Sequence, residues 1–200
     1  TAIKTIICYL VRTSNKGTLV RPAGHLHLDC YVDADFAGLY RADPDYMPTA
    51  SRSRTGFIVF LGDCPLYWRS QIQTDTALST QEAEYSALSQ AMRVLIPLRL
   101  LIIEVATNLR LPHELLATIK GTVFEDNNGV YLLANEQRIT SRTKYYLVKW
   151  HHFWSQVNTG TNNGPFVFEK IDTKLQRADY LTKGLVRDLF ERIRKLNQGW

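Results

Sequence analysis

HLDCYVDADFAG, residues 27–38, alternates as a β-strand does: Leu28, Cys30 and Val32 fall on one face, and Asp29, Tyr31 and Asp33 on the other. A strand with one apolar face that ends in acidic residues just before a glycine is a sheet element carrying polar chemistry at its end. Two further strands follow a polar stretch over residues 38–55. GFIVFL (56–61) and CPLYWR (64–69) flank Gly62-Asp63, a two-residue hairpin signal, so these strands pair antiparallel.

Beyond them the period changes. Ser79-Thr80-Gln81-Glu82 has the capping-box spacing, and a helix is expected from there through AEYSALSQAMRVL, with Pro97 opening a second helical segment to about residue 106. TIKGTVFE (118–125) reads as a strand, 128–134 as a short helix, 141–157 as a helix rich in aromatic and basic residues and PFVFEKI (165–171) as a strand. Residues 175–183 read as a helix closed by Gly184, and 186–197 as an amphipathic tail. The order βββαβαβα implies an α/β fold with a mixed sheet and helices on both faces.

Composition narrows the class. The 200 residues suit one domain, and 45% apolar content excludes disorder. The longest aliphatic run, 100–103, is far short of the ~20 residues of a membrane span, so no membrane association is expected. Cys8, Cys30 and Cys64 are odd in number and lack C-x-x-C spacing, which excludes a disulfide framework or a four-ligand zinc site and fits an intracellular setting. Charge is asymmetric: residues 1–137 carry 12 Lys/Arg against 14 Asp/Glu, and residues 138–200 carry 12 against 5. A polyanion could dock on the basic part while carboxylates collect in the acidic part. The start at Thr1 reads as a cut from a longer chain.

Four acids stand out once local rivals are weighed. Asp33 lies in the better strand pattern than Asp35. Glu82 and Glu84 lie about 200° apart on a helix. Glu82 has the capping position, whereas Glu84 shares the stripe of Ala87, Leu88 and Ala91, where a carboxylate is costly without a cation. Asp126 follows the strand ending at Glu125, which points to the opposite face, and its rival role is the N-cap of the next helix. Asp179 lies beside Leu175 and Ala178 on an expected inner face, while Asp172 falls in a turn with Thr173 and Gln176 as a capping pair. Carboxylates without a His/Cys set suit Mg²⁺, and two such ions can activate a water and stabilise the leaving 3′ oxygen of a phosphodiester.

YVDADFAG (31–38), SRTGFIVFLG (53–62), LYWRSQIQTDTALSTQEAEYSAL (66–88), EDNNGVYLLAN (125–135), SRTKYYLVKWHHF (141–153) and QRADYLTKGL (176–185) together resemble the ribonuclease H domain of copia-type (Pseudoviridae) retrotransposon Pol polyproteins. The resemblance implies the ribonuclease H-like fold, a mixed five-stranded sheet flanked by helices. It implies Mg²⁺-dependent hydrolysis (Mn²⁺ as substitute) of the RNA strand of RNA–DNA hybrids, in an intracellular setting such as a cytoplasmic particle or the nucleus. Its acidic tetrad falls on Asp33, Glu84, Asp126 and Asp179. Residues 1–24 would be the tail of a reverse transcriptase in cis, 25–185 the ribonuclease H domain and 186–200 a C-terminal helical tail. Arg142, Lys144 and Lys149 are expected substrate contacts. Two rival readings are a catalytically silent hybrid-binding scaffold, against which the complete tetrad argues, and a DNA-cutting or strand-transfer nuclease, which predicts a later final acid and no QRAD-LTK string.

Overall fold

The computed structural model describes residues 2–40, 50–136, 144, 151–160 and 162–200. Five strands form one sheet: β1 (Leu28–Asp35), β2 (Arg54–Leu61), β3 (Cys64–Ile72), β4 (Gly121–Glu125) and β5 (Phe166–Lys170), in the order β3-β2-β1-β4-β5. β1–β2 and β2–β3 are antiparallel, and β1–β4 and β4–β5 are parallel. This is the mixed five-stranded sheet that the resemblance implies. The β2–β3 hairpin turns on Gly62 and Asp63, with φ of 52° and 66°; two successive positive φ values match the right-handed twist of the flanking strands.

The helices are α1 (Ala2–Arg12), α2 (Thr80–Asn108), α3 (His113–Leu116), α4 (Asn128–Glu136), α5 (Asp179–Thr182) and α6 (Arg187–Gln198). The strand alternation sorts the core into two layers. Leu28, Cys30, Val32, Phe57 and Val59 pack with Leu88, Met92 and Leu95 of α2 and with Val130 of α4. On the other face Tyr31, Ile58 and Phe60 pack with Ala178, which immediately precedes α5, and with Leu181 within it. Helices therefore cover both faces of the sheet.

Several expectations need correction. Pro97 does not start a new helix: α2 runs unbroken through it. The missing N–H removes one backbone bond, which the packing of Ile96, Leu98 and Ile102 on the core offsets. By length and composition α2 would suffice to cross a bilayer; its first half is core, with Ala83 through Ser89 all buried. The helix expected over 175–183 is a 3₁₀ turn at Thr173–Leu175 followed by the four residues of α5. Asp172 itself caps that turn, accepting from the Lys174 amide at 2.8 Å, and Leu175 is exposed. Most of the helix expected over 141–157 lies outside the described residues; its described end, His151–Gln156, is a 3₁₀ helix. There Phe153 is buried, and Trp154 Nε1 donates to the Tyr85 hydroxyl at 2.8 Å, so these aromatics are core.

Candidate metal centre

Each acidic side chain is brought in by a different element. Asp33 comes from β1 on the α5 face, and its cross-strand neighbour is Gly56. A Cβ at residue 56 would lie 2.6 Å from Thr182 Cγ2 and 2.9 Å from Leu181 Cβ, so glycine here is what lets α5 close over Asp33. Glu84 sits in the first turns of α2, 5% exposed, in the buried stripe with Ala87, Leu88 and Ala91. The Ser79 hydroxyl accepts from the Glu82 amide at 3.1 Å, and Glu82 Oε2 accepts from the Leu78 amide at 2.9 Å. Glu82 is thus spent on capping.

Asp126 follows β4 and is half-buried. Its rival role as an N-cap is taken by Asn127, whose Oδ1 accepts from the amides of Gly129 at 2.9 Å and Val130 at 3.3 Å. Asp126 is thereby released from helix capping. Asp33, Glu84 and Asp126 each offer an oxygen, and these oxygens lie within 4.8 Å of one another.

Asp179 opens α5 and is 2% exposed. It is not part of that triplet and is held beside it: Lys183 Nζ lies 2.9 Å from Asp179 Oδ1 and 3.8 Å from Asp33 Oδ2. Thr182 Oγ1 donates to Asp33 Oδ2 and contacts the carbonyl of Asp179 at 3.0 Å. Gln176, fully buried, donates to the Val32 carbonyl at 2.8 Å and accepts from the Ala178 amide, which ties the approach to α5 onto β1.

A further acid is Glu125, which is completely buried. Residues 121, 123 and 125 of β4 face α2, so the face opposite Phe124 that Glu125 occupies is the inside, near Glu84. Its Oε1 accepts from the Asn127 amide at 3.0 Å, while among the described residues neither its Oε2 nor Glu84 Oε2 has a hydrogen-bond partner. Glu125, Thr182, Lys183 and Gln176 were not singled out from the sequence as site residues; the strand alternation that puts Glu125 on the same face as Val123 was the available signal for the first.

Electrostatics follow burial. Desolvation, partly relieved by the Thr182 hydrogen bond and Lys183, pushes Asp33 up to about 6. Burial, and then the charge of Glu125, holds Glu84 well above the usual carboxylate range, and burial, with the charges of Asp126 and Asp33, does the same to Glu125. Burial also raises Asp179, opposed by Lys183. Burial alone would lower Lys183; its ion pair with Asp179 and the charge of Asp33 outweigh that and raise it. Buried, converging, partly unpartnered carboxylate oxygens with one ammonium among five acids fit a hard divalent cation: the donor set is all oxygen and is short of positive charge.

Of the expected substrate contacts, Lys144 is exposed, and Arg142 and Lys149 lie outside the described residues.

No protein-family model matches the chain. It is 30% identical over 190 residues to the retrovirus-related Pol polyprotein from transposon RE1 of Arabidopsis thaliana, covering 95% of this chain and 12% of that protein. It is 28% identical over 195 residues to that from transposon TNT 1-94 of Nicotiana tabacum, covering 98% and 13%. The chain thus spans about one eighth of the length of these curated relatives. Among solved structures, LC11-RNase H1 in complex with an RNA/DNA hybrid is similar with a TM-score of 0.47 at 18% identity, over 78% of this chain and 93% of that one. Over 95–98% of its residues the chain is thus similar to a short segment of the retrovirus-related Pol polyproteins of copia-type transposons.

Proposed function

We propose that this domain is a Mg²⁺-dependent endoribonuclease that hydrolyses the RNA strand of RNA–DNA hybrids, leaving 5′-phosphate and 3′-hydroxyl ends, alongside a reverse transcriptase in cis. The carrying observation is the convergence of Asp33, Glu84 and Asp126 within 4.8 Å, from three elements, with no capping duty left on Asp126.

Asp33, Glu84 and Asp126 would hold the cation, with Asp179 completing the set from α5. Divalent ions bound there supply an activated water and charge stabilisation for the leaving 3′ oxygen. The protein's own work is orientation. Thr182 fixes the Asp33 carboxylate by donating to Oδ2, and Gln176 fixes the approach to α5 against β1. Lys183 holds Asp179 and Asp33 together as a compact cation that can turn toward an incoming phosphate. Burial keeps these dipoles and charges in a low-dielectric setting where they act strongly on developing charge. Arg142, Lys144 and Lys149 are proposed to meet substrate phosphates from the basic C-terminal part.

Substrate selectivity tests this reading. The domain is expected to cut the RNA strand of a hybrid and to leave a DNA duplex of the same sequence intact, because sugar 2′-hydroxyls distinguish the strands. Equal cutting of both duplexes would favour a general nuclease, and binding of the hybrid without cutting would favour the silent scaffold.

A further inference from the structure

Beside the acidic centre lies a cleft of about 430 Å³ bounded by Asp35, Arg52, Arg54, Ile72, Thr182 and Lys183. We propose that it is a subsite for a backbone phosphate of the strand being cut, one or two nucleotides from the scissile bond. The inference rests on the ribonuclease reading above and extends it to residues outside the acidic set.

Position carries the first part. Asp33 pairs with Gly56 and Asp35 with Arg54, so the cleft is the next same-face step along β1 and β2 from the metal-binding carboxylates. Two residues along a β-strand advance about 6.7 Å, and one nucleotide rises about 3.4 Å along the axis of a duplex. Thr182 and Lys183 line the cleft and also contact Asp33, so the two sites share a wall without a barrier between them.

Chemistry carries the second. The cleft presents two guanidinium groups against the single carboxylate of Asp35, and the Lys183 ammonium at its wall is engaged with Asp179 and Asp33. Arg54 Nη1 donates to Ser70 Oγ at 3.3 Å, and Ser70 Oγ donates to the Leu181 carbonyl at 2.6 Å, which steadies Arg54 on the α5 side. Among the described residues neither Arg52 nor Arg54 is ion-paired to a carboxylate. Paired guanidinium forks suit the planar, bidentate recognition of phosphate. The apolar part of the lining is aliphatic, from Leu39 and Ile72, and the lining residues include no aromatic ring on which a base would stack.

The test is hybrid binding by fluorescence anisotropy, with Ca²⁺ replacing Mg²⁺ so that affinity is read without turnover. The R52A/R54A variant is expected to bind about tenfold more weakly, with a salt slope shallower by about 0.9 for one lost phosphate contact. The R52K/R54K variant should recover the slope but only part of the affinity, since lysine keeps the charge and loses the fork. A single methylphosphonate one or two nucleotides from the cut, in the RNA strand, should weaken wild-type binding similarly and weaken R52A/R54A little further. Additive losses, or sensitivity only to methylphosphonate in the DNA strand, would overturn the subsite while leaving the ribonuclease reading intact. Failure of the wild-type protein to bind hybrid at all would overturn both.

Discussion

The side-chain amide of Gln176 donates to the backbone carbonyl of Val32 at 2.8 Å, joining residues 144 apart in sequence at a fully buried point. Val32 immediately precedes Asp33, and Gln176 lies three residues before Asp179. One hydrogen bond therefore ties the strand that carries one acid to the approach of the helix that carries another.

Gln176→Leu leaves the Val32 carbonyl buried without this donor, which costs about 1–3 kcal/mol. The variant is expected to melt at lower temperature and to cleave hybrid more slowly, because Asp179 loses its tether. Denaturant unfolding and single-turnover cleavage check this; unchanged values in both would remove Gln176 from the account.

Asp126→Asn should abolish cleavage with no loss of stability. Asn127 caps α4, so a change at 126 spares the helix terminus. Activity within about threefold of wild type would show that Asp126 is not a metal ligand, since loss of a ligand in metal-ion hydrolysis costs far more.

Glu82 and Glu84 should separate cleanly. Glu82→Gln keeps an acceptor for the Leu78 amide and should be nearly neutral. Glu84→Gln should eliminate activity while raising the melting temperature of the metal-free protein, because it removes a buried carboxylate next to Glu125 and Asp33. Equal loss of activity in the two variants would refute the assignment by helix face.

Stability should fall with rising pH in the metal-free protein. Asp33 has a folded-state pKa of about 6 against 3.8, so between those values the folded state binds more protons than the unfolded one. Its contribution is fully present below about pH 4 and is lost as pH rises through about 6; Glu84, Glu125 and Asp179, also raised, act in the same direction. Mg²⁺ binds the deprotonated site, so it should raise the melting temperature at pH 7.5 and do little at pH 4.5. A Mg²⁺ effect equal at both pH values would contradict a carboxylate site.

Gly56→Ala is expected to displace α5, since the added methyl meets Thr182 Cγ2 and Leu181 Cβ at under 3 Å. Both stability and cleavage should drop, and restoring room with Thr182→Ser should recover part of the stability. No recovery would place the clash elsewhere.

Local patterns in the sequence were a good guide wherever one element decides the outcome. The alternation over 28–34 marks the two faces of β1, the Ser79–Glu82 box marks the start of α2, and Gly62-Asp63 marks the hairpin. What lay beyond the sequence depends on contacts between distant segments. Pro97 reads locally as a break, yet the packing of α2 on the sheet carries the helix through it. Residues 175–183 have helical periodicity, but the buried Gln176–Val32 bond holds the chain at Gln176 in an extended conformation and delays the helix to Asp179. Glu125 reads from the sequence only as lying opposite Asp126, because only the sheet order reveals that α2 covers its face of β4. Lys183 likewise becomes part of the centre only once α5 lies over Asp33.

Cleavage of the RNA strand in an RNA–DNA hybrid, followed first with Mg²⁺, then after EDTA and again after Mg²⁺ is restored, tests the central claim most directly. The account predicts cutting only when the divalent ion is present, with 3′-hydroxyl ends on the products and no cutting by Asp126→Asn under any condition. Cutting that persists in EDTA, or that survives in Asp126→Asn, would contradict it.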